Sequence, residues 1–143
     1  MTNGNRDLIK KYADEIEAYT SGDLYRCFDC GKMFNAAEAE DEDCRIFCPH
    51  CKKEQNKQQM EQITISDYSE NISNYDYLID SKFNYLGVKI YLIISNSNIW
   101  VDTQKQSLFL HWDGKKEKYM LSGDACDEID DYFNEIYNLR ISL

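Results

Sequence analysis

No run of about 18 apolar residues occurs in this 143-residue chain, which excludes a membrane-spanning helix. The first residues, MTNGNRDLIKKYADEIEAY, hold no apolar stretch of the kind a secretory signal needs, so the expected location is the cytoplasm of a bacterial cell. A Walker loop, a dinucleotide fingerprint and an H-E-x-x-H pair are all missing, and no internal repeat is visible. His111-Trp112-Asp113 ends a strand-like run with no nucleophile beside it, so the histidine reads as structural and the chain as non-enzymatic. Basic residues are also short: 16 Lys and Arg stand against 26 Asp and Glu, a formal net charge of −10. Such a chain is repelled by phosphate backbones, which argues against salt-driven nucleic-acid binding and suits either a basic partner or plain solubility.

What is present is enough for a packed core, at 43% hydrophobic and 13% aromatic residues. Residues 1–22 predict an N-terminal helix: Leu8, Tyr12, Ile16 and Tyr19 recur at helical spacing, flanked by Ile9 and Ala13, and Gly22 supplies a left-handed stop. Residues 23–53 hold the cysteine module. Residues 54–85 read as a polar linker followed by an unassigned Tyr-, Ser- and Asn-rich segment. Residues 86–143 turn strand-like. Val88–Ser95, Ile99–Thr103, Ser107–Trp112 and Glu117–Leu121 are separated by turn signals at Asn96–Asn98, Gln104–Gln106 and Asp113-Gly114. A C-terminal helix follows, capped by Ser122 or Asp124, with Cys126, Ile129, Phe133, Ile136 and Tyr137 on one face. The expected class is therefore α+β: a helix, a metal-bound module, then an antiparallel meander with a C-terminal helix (ββββα).

Six cysteines in a reducing compartment point to metal or redox chemistry rather than disulfides. Cys27-x2-Cys30, 17 residues, then Cys48-x2-Cys51 fits a four-cysteine zinc site. Each C-x2-C turn brings two sulfurs to one side of a tight loop, within about 2.3 Å of a shared metal, and two turns complete a closed tetrahedron. Gly31 follows the first turn and Pro49 stiffens the second. Other readings stay open at this level: Cys44 could replace a ligand, His50 could ligate by displacing a cysteine, Cys27 and Cys30 could form a redox pair, and iron could stand in for zinc. Cys126 reads as a small buried hydrophobe.

The segments Tyr25-Arg-Cys-Phe-Asp-Cys-Gly-Lys-Met-Phe34 and Cys48-Pro-His-Cys51 resemble rubredoxin-type zinc ribbons. That resemblance covers residues 23–53. It implies one structural zinc ion on Cys27, Cys30, Cys48 and Cys51, and no particular activity. Metal binding would then supply the module's folding free energy, on the order of 10 kcal/mol.

Two acidic stretches are candidate partner-binding surfaces: Glu38, Glu40, Asp41, Glu42 and Asp43 between the cysteine pairs, and Asp127, Asp130 and Asp131 on the last helix. Each is also what a solvated loop or an amphipathic helix would show. The tyrosines at 68, 75, 77, 85 and 91 suit either an interface or a β-rich core. The whole chain resembles small acidic accessory proteins of bacteriophages and mobile elements, a group that includes anti-CRISPR and other anti-defence proteins. Asn98–Thr103 through Ala125–Phe133 contributes most to that likeness. It implies a protein that binds and inhibits a basic protein or nucleoprotein complex, such as a CRISPR effector. The alternative is a zinc-ribbon factor of transcription or replication that binds nucleic acid directly. That would need Lys and Arg gathered on one face, and Lys52, Lys53 and Lys57 are the only cluster in view.

Overall fold

A computed structural model describes residues 3–56, 58–93, 98–112 and 114–141. Helix α1 (Asn3–Thr20) leads into a small sheet and a hairpin. The small sheet pairs β1 (Leu24–Arg26) with β2 (Met33–Asn35) and, on its other side, with β5 (Glu61–Gln62). The hairpin joins β3 (Ile46–Phe47) to β4 (Glu54–Gln55). A short helix α2 (Ile65–Tyr68) then precedes a five-stranded antiparallel sheet: β6 (Ile72–Ile79), β7 (Tyr85–Leu92), β8 (Asn98–Asp102), β9 (Ser107–Trp112) and β10 (Lys115–Met120). Helix α3 (Gly123–Ile141) closes the described chain. Among the described residues no helix is long and apolar enough to cross a membrane.

The large sheet is a pure meander, with each strand hydrogen-bonded to its neighbour in sequence. Strand alternation explains its two faces. Val88, Ile90 and Leu92 of β7, Ile99 and Val101 of β8, and Leu108 and Leu110 of β9 all point to one side, where they are buried. Helix α1 lies over β9 and β10, and α3 over β7, so both helices cover that same side. Ile9, Ala13 and Ile16 come from α1, and Cys126, Ile129 and Phe133 from α3, completing one core. The other side of the sheet is covered by neither helix.

The helix stripes follow the expected spacing, with the centre of the α1 stripe on Ile9, Ala13 and Ile16 and Leu8, Tyr12 and Tyr19 at its margins. Ser122 caps α3: its Oγ accepts the Ala125 N–H at 3.0 Å. Glu17 of α1 fixes that cap from outside, accepting the Ser122 N–H at 2.6 Å and the Ser122 hydroxyl at 2.7 Å. One carboxylate thus ties the end of α1 to the start of α3.

Two expectations need correction. The sheet has five strands rather than four, because β6 occupies part of the segment expected to be a linker or left unassigned. Register shifts between Ile72 and Asn74 and between Leu78 and Ile79 break its alternation, and as an edge strand it keeps polar residues on its outer side. Nor are residues 54–62 a free linker, since Glu54 and Gln55 pair with Phe47 and Ile46, and Glu61 and Gln62 pair with Arg26 and Tyr25. The turn expected at Asn96–Asn98 falls largely outside the described residues, as does Asp113. The pairing of β9 with β10 runs as far as Trp112↔Lys115.

The dense tyrosines are mostly interior. Tyr68 is fully buried, and Tyr75, Tyr77 and Tyr85 pack with Phe133 and Tyr137 between β6, β7 and α3. Only Tyr91 of that set lies on the uncovered side, in register with Trp100.

Candidate metal centre

The two cysteine pairs sit at the tips of two copies of one local structure. In the first, Cys27-Phe-Asp-Cys-Gly-Lys32 is held between β1 and β2, whose register is Leu24↔Asn35, Tyr25↔Phe34 and Arg26↔Met33. In the second, Cys48-Pro-His-Cys-Lys-Lys53 is held between β3 and β4, with Ile46↔Gln55 and Phe47↔Glu54. The hydrogen bonds repeat. Cys27 N–H donates to the Lys32 carbonyl at 2.9 Å and Gly31 N–H to the Cys27 carbonyl at 3.0 Å; Cys48 N–H donates to Lys53 at 3.0 Å and Lys52 N–H to Cys48 at 2.8 Å. The fifth residue of each turn has positive φ, 76° at Gly31 and 66° at Lys52. A chain turning under two sulfurs needs this conformation, and only the first copy uses glycine for it.

These turns bring Cys27, Cys30, Cys48 and Cys51 together, with all four sulfurs within 4.8 Å of one another. Cys27 Sγ lies 3.7 Å from Cys51 Sγ, and Cys30 Sγ 3.6 Å from Cys48 Sγ. A tetrahedron with metal–sulfur bonds of about 2.3 Å has edges of about 3.8 Å, so the spacing fits one zinc ion. It is far too long for a disulfide, at about 2.05 Å. The four cysteines could therefore hold one zinc ion between them.

Backbone donors support thiolates at this point. Asp29 and Cys30 N–H groups lie 3.3 and 3.4 Å from Cys27 Sγ, and His50 N–H lies 3.4 Å from Cys48 Sγ. Burial pushes the Cys27 thiol up, but the donors from Cys30 and Asp29 and the neighbouring sulfurs outweigh it and bring it down to about 7. At Cys51 a backbone donor from Lys53 favours the thiolate, yet burial and the three other sulfurs win and push it up to about 11. Cys30 is also raised, burial and its sulfur neighbours overcoming the Lys32 donor. Four sulfurs this close cannot all ionise by themselves, and a divalent cation is what would let them.

Gln55, one of the few buried polar side chains, braces the two turns. Its Oε1 accepts the Phe28 N–H at 3.1 Å, while its Nε2 donates to Asp29 Oδ2 and to the Lys53 carbonyl, each at 3.1 Å. Sequence reasoning missed this residue, since a glutamine in a polar run carries no signal of burial. Around the centre Phe34, Ala36, Ile46 and Met60 form a small core with Cys27 and Cys48, separate from the core of the large sheet.

The competing ligands stand elsewhere. Cys44 is exposed in a left-handed conformation (φ 61°) and lies outside the group. His50 turns its ring away, with Nε2 3.2 Å from the Met33 carbonyl. Cys126 is buried in the large core.

The acidic stretches differ from each other. Glu38, Glu40, Glu42 and Asp43 are exposed, but Arg45 reaches both Asp41 and Asp43, at 3.4 and 3.3 Å. Asp41 Oδ1 also accepts the N–H groups of Asp43 and Arg45, so the loop is internally tied. On α3, Asp130 is half-buried and accepts the Tyr85 hydroxyl at 2.8 Å, which removes it from the outer face. Asp127 and Asp131 remain exposed, joined by Asp124, Glu128 and Glu135 in one stripe. No ion pair engages this stripe among the described residues.

Comparison with protein-family models, with curated proteins and with solved structures returns no match.

Proposed function

We propose that this chain is a non-catalytic protein built on a structural zinc ribbon, and that it binds a basic protein of nucleic-acid-handling machinery through the outer face of α3. A four-sulfur tetrahedron leaves no coordination position for a substrate, so zinc here would fold the module and perform no chemistry. The observation that carries the binding reading is the segregation of charge. The outer stripe of α3 is wholly acidic, at Asp124, Asp127, Glu128, Asp131 and Glu135, and lacks internal cations. Four lysines, Lys89, Lys105, Lys116 and Lys118, instead lie on the uncovered face of the large sheet. A protein charged in this way suits a position between a cationic protein surface and a polyanion. Docked on a nucleic-acid-binding protein, α3 would occupy the surface meant for phosphates, and inhibition would follow by occlusion. A CRISPR effector is one partner with the required chemistry.

The test is recovery of tagged protein from the cell that makes it, alongside an Asp127→Lys/Asp131→Lys variant. The expected result is a nucleic-acid-binding protein enriched with the parent and lost with the variant. Equal recovery with both, or no such protein with either, would contradict the reading.

A further inference from the structure

The side of the large sheet that no helix covers carries an ordered row of side chains. The registers Lys118↔Phe109, Phe109↔Trp100, Trp100↔Tyr91 and Tyr91↔Asn74 run straight across all five strands. Directly paired residues point to the same face, so three aromatic rings stand side by side at the centre of the sheet. Trp100 and Phe109 are stacked, with centroids 5.4 Å apart and planes at 17°. His111 meets Trp100 edge-on at 4.7 Å.

Cations surround this row. Lys89 Nζ lies 5.5 Å from the Tyr91 ring centroid and 5.2 Å from that of Trp100. Lys105 and Lys118 lie 5.6 and 5.9 Å from Phe109, and Lys116 stands opposite His111. Among the described residues the nearby carboxylates are Asp102, which is buried and accepts the Lys105 N–H, and Asp76, which accepts the Tyr91 hydroxyl at 3.2 Å. Four lysines thus outnumber the acids among the described residues on one face of a chain whose net charge is −10. Beside the row, Lys89, Tyr91, Trp100 and His111 floor a concavity of about 570 Å³ whose wall includes Asn74 and Asp76.

We propose that this open sheet face binds single-stranded nucleic acid, bases stacking against Tyr91, Trp100 and Phe109 while Lys89, Lys105, Lys116 and Lys118 hold the phosphates. Aromatic faces interleaved with lysines match the alternation of base and phosphate along a strand. A duplex hides its base faces from stacking, so the ligand that this aromatic row fits is single-stranded. Each lysine now over a ring would exchange that ring for a phosphate as a base takes its place, while Asn74 and Asp76 offer donors and acceptors to base edges. The inference goes beyond the docking of α3 and does not depend on it.

The chain has two tryptophans, so in a Trp112→Phe background the fluorescence of the zinc-loaded protein reports Trp100 alone. The probes are an oligothymidylate of about twelve nucleotides, the size of one such site, and a duplex of equal length. The expected result is saturable quenching by the single strand, with the duplex at least about tenfold weaker. Tyr91→Ala should weaken single-strand binding by roughly 5- to 150-fold. Four phosphate contacts set a log–log salt slope of about −3 at most, becoming shallower in Lys89→Ala and Lys118→Ala, which leave the ring row in place. Asp127→Lys/Asp131→Lys should quench like the parent, separating this face from α3. Duplex binding as tight as single-strand binding and unchanged in Tyr91→Ala would overturn stacking while leaving the nucleic-acid reading in force. No binding of either probe at about 50 mM salt would overturn the proposal and leave the docking of α3 to its own test.

Discussion

The near-identity of the two cysteine turns allows a quantitative test at a single atom. Gly31 and Lys52 occupy the same position, at φ 76° and 66°, and accept the same backbone geometry at different cost. Nothing lies within 4 Å of a β-carbon built on Gly31, so Gly31→Ala tests the backbone conformation free of steric conflict. The left-handed region costs an L-residue about 1–2 kcal/mol, and the stiffer unfolded chain returns roughly 0.4–1 kcal/mol of that. A net loss of about 1 kcal/mol is expected, which is roughly fivefold in apparent zinc affinity because metal binding and folding are coupled. Lys52→Gly should move the other way by about 0.5 kcal/mol, relief of strain being partly offset by the flexibility of glycine in the unfolded state. Competition for zinc against a chromogenic chelator measures both. If Gly31→Ala binds zinc as well as the parent, or Lys52→Gly binds it worse, the paired-turn geometry is wrong.

Other consequences follow from particular contacts. Gln55→Ala removes three hydrogen bonds that join the two turns and should lower the stability of the zinc-loaded module by about 1–3 kcal/mol in chemical denaturation; no change would mean the brace is incidental. Glu17→Ala frees the cap of α3 and should cost about 1 kcal/mol by the same measurement, with Ser122→Ala adding little in the double variant because the two act through one cap. Full additivity would show that they act separately. Burial pushes the Cys126 thiol up to about 11, helped by Asp130 and other nearby carboxylates. At pH 8 only about one molecule in a thousand carries its thiolate, against roughly a quarter for an ordinary cysteine. Alkylation of zinc-loaded protein should therefore label exposed Cys44 first. Cys126 should react only as the pH climbs toward 11 or the core opens, and mass mapping that finds it labelled early at pH 8 would refute its placement.

Much of this was legible in the sequence because it depends on short-range pattern. Helical spacing located α1 and α3, the α3 cap was narrowed to Ser122 or Asp124, and the spacing of four cysteines announced the cluster of sulfurs. Beta-branched runs with turn residues between them marked β7 through β10 to within a few residues. Strand β6 escaped because an edge strand with bulges has no clean alternation and spends polar residues on its outer side. Strands β4 and β5 escaped because two-residue pairings are fixed by their partners, not by their own composition. The uncovered sheet face was hidden for a different reason. Lys89, Tyr91, Trp100, Phe109 and Lys118 are spread along thirty residues, and only cross-strand register assembles them. Net charge summed over the chain conceals such segregation, and it likewise overstates the acidic loop, whose Asp41 and Asp43 share the single charge of Arg45.

The zinc-ribbon reading depends on the four sulfurs closing around one metal ion. X-ray absorption at the zinc edge, with metal analysis on protein produced in zinc-replete medium, tests that directly. The account predicts one zinc per chain, coordinated by four sulfurs at about 2.3 Å with no nitrogen or oxygen neighbour. A metal-free protein that keeps its fold, or a coordination shell containing His50 nitrogen or water, would contradict it.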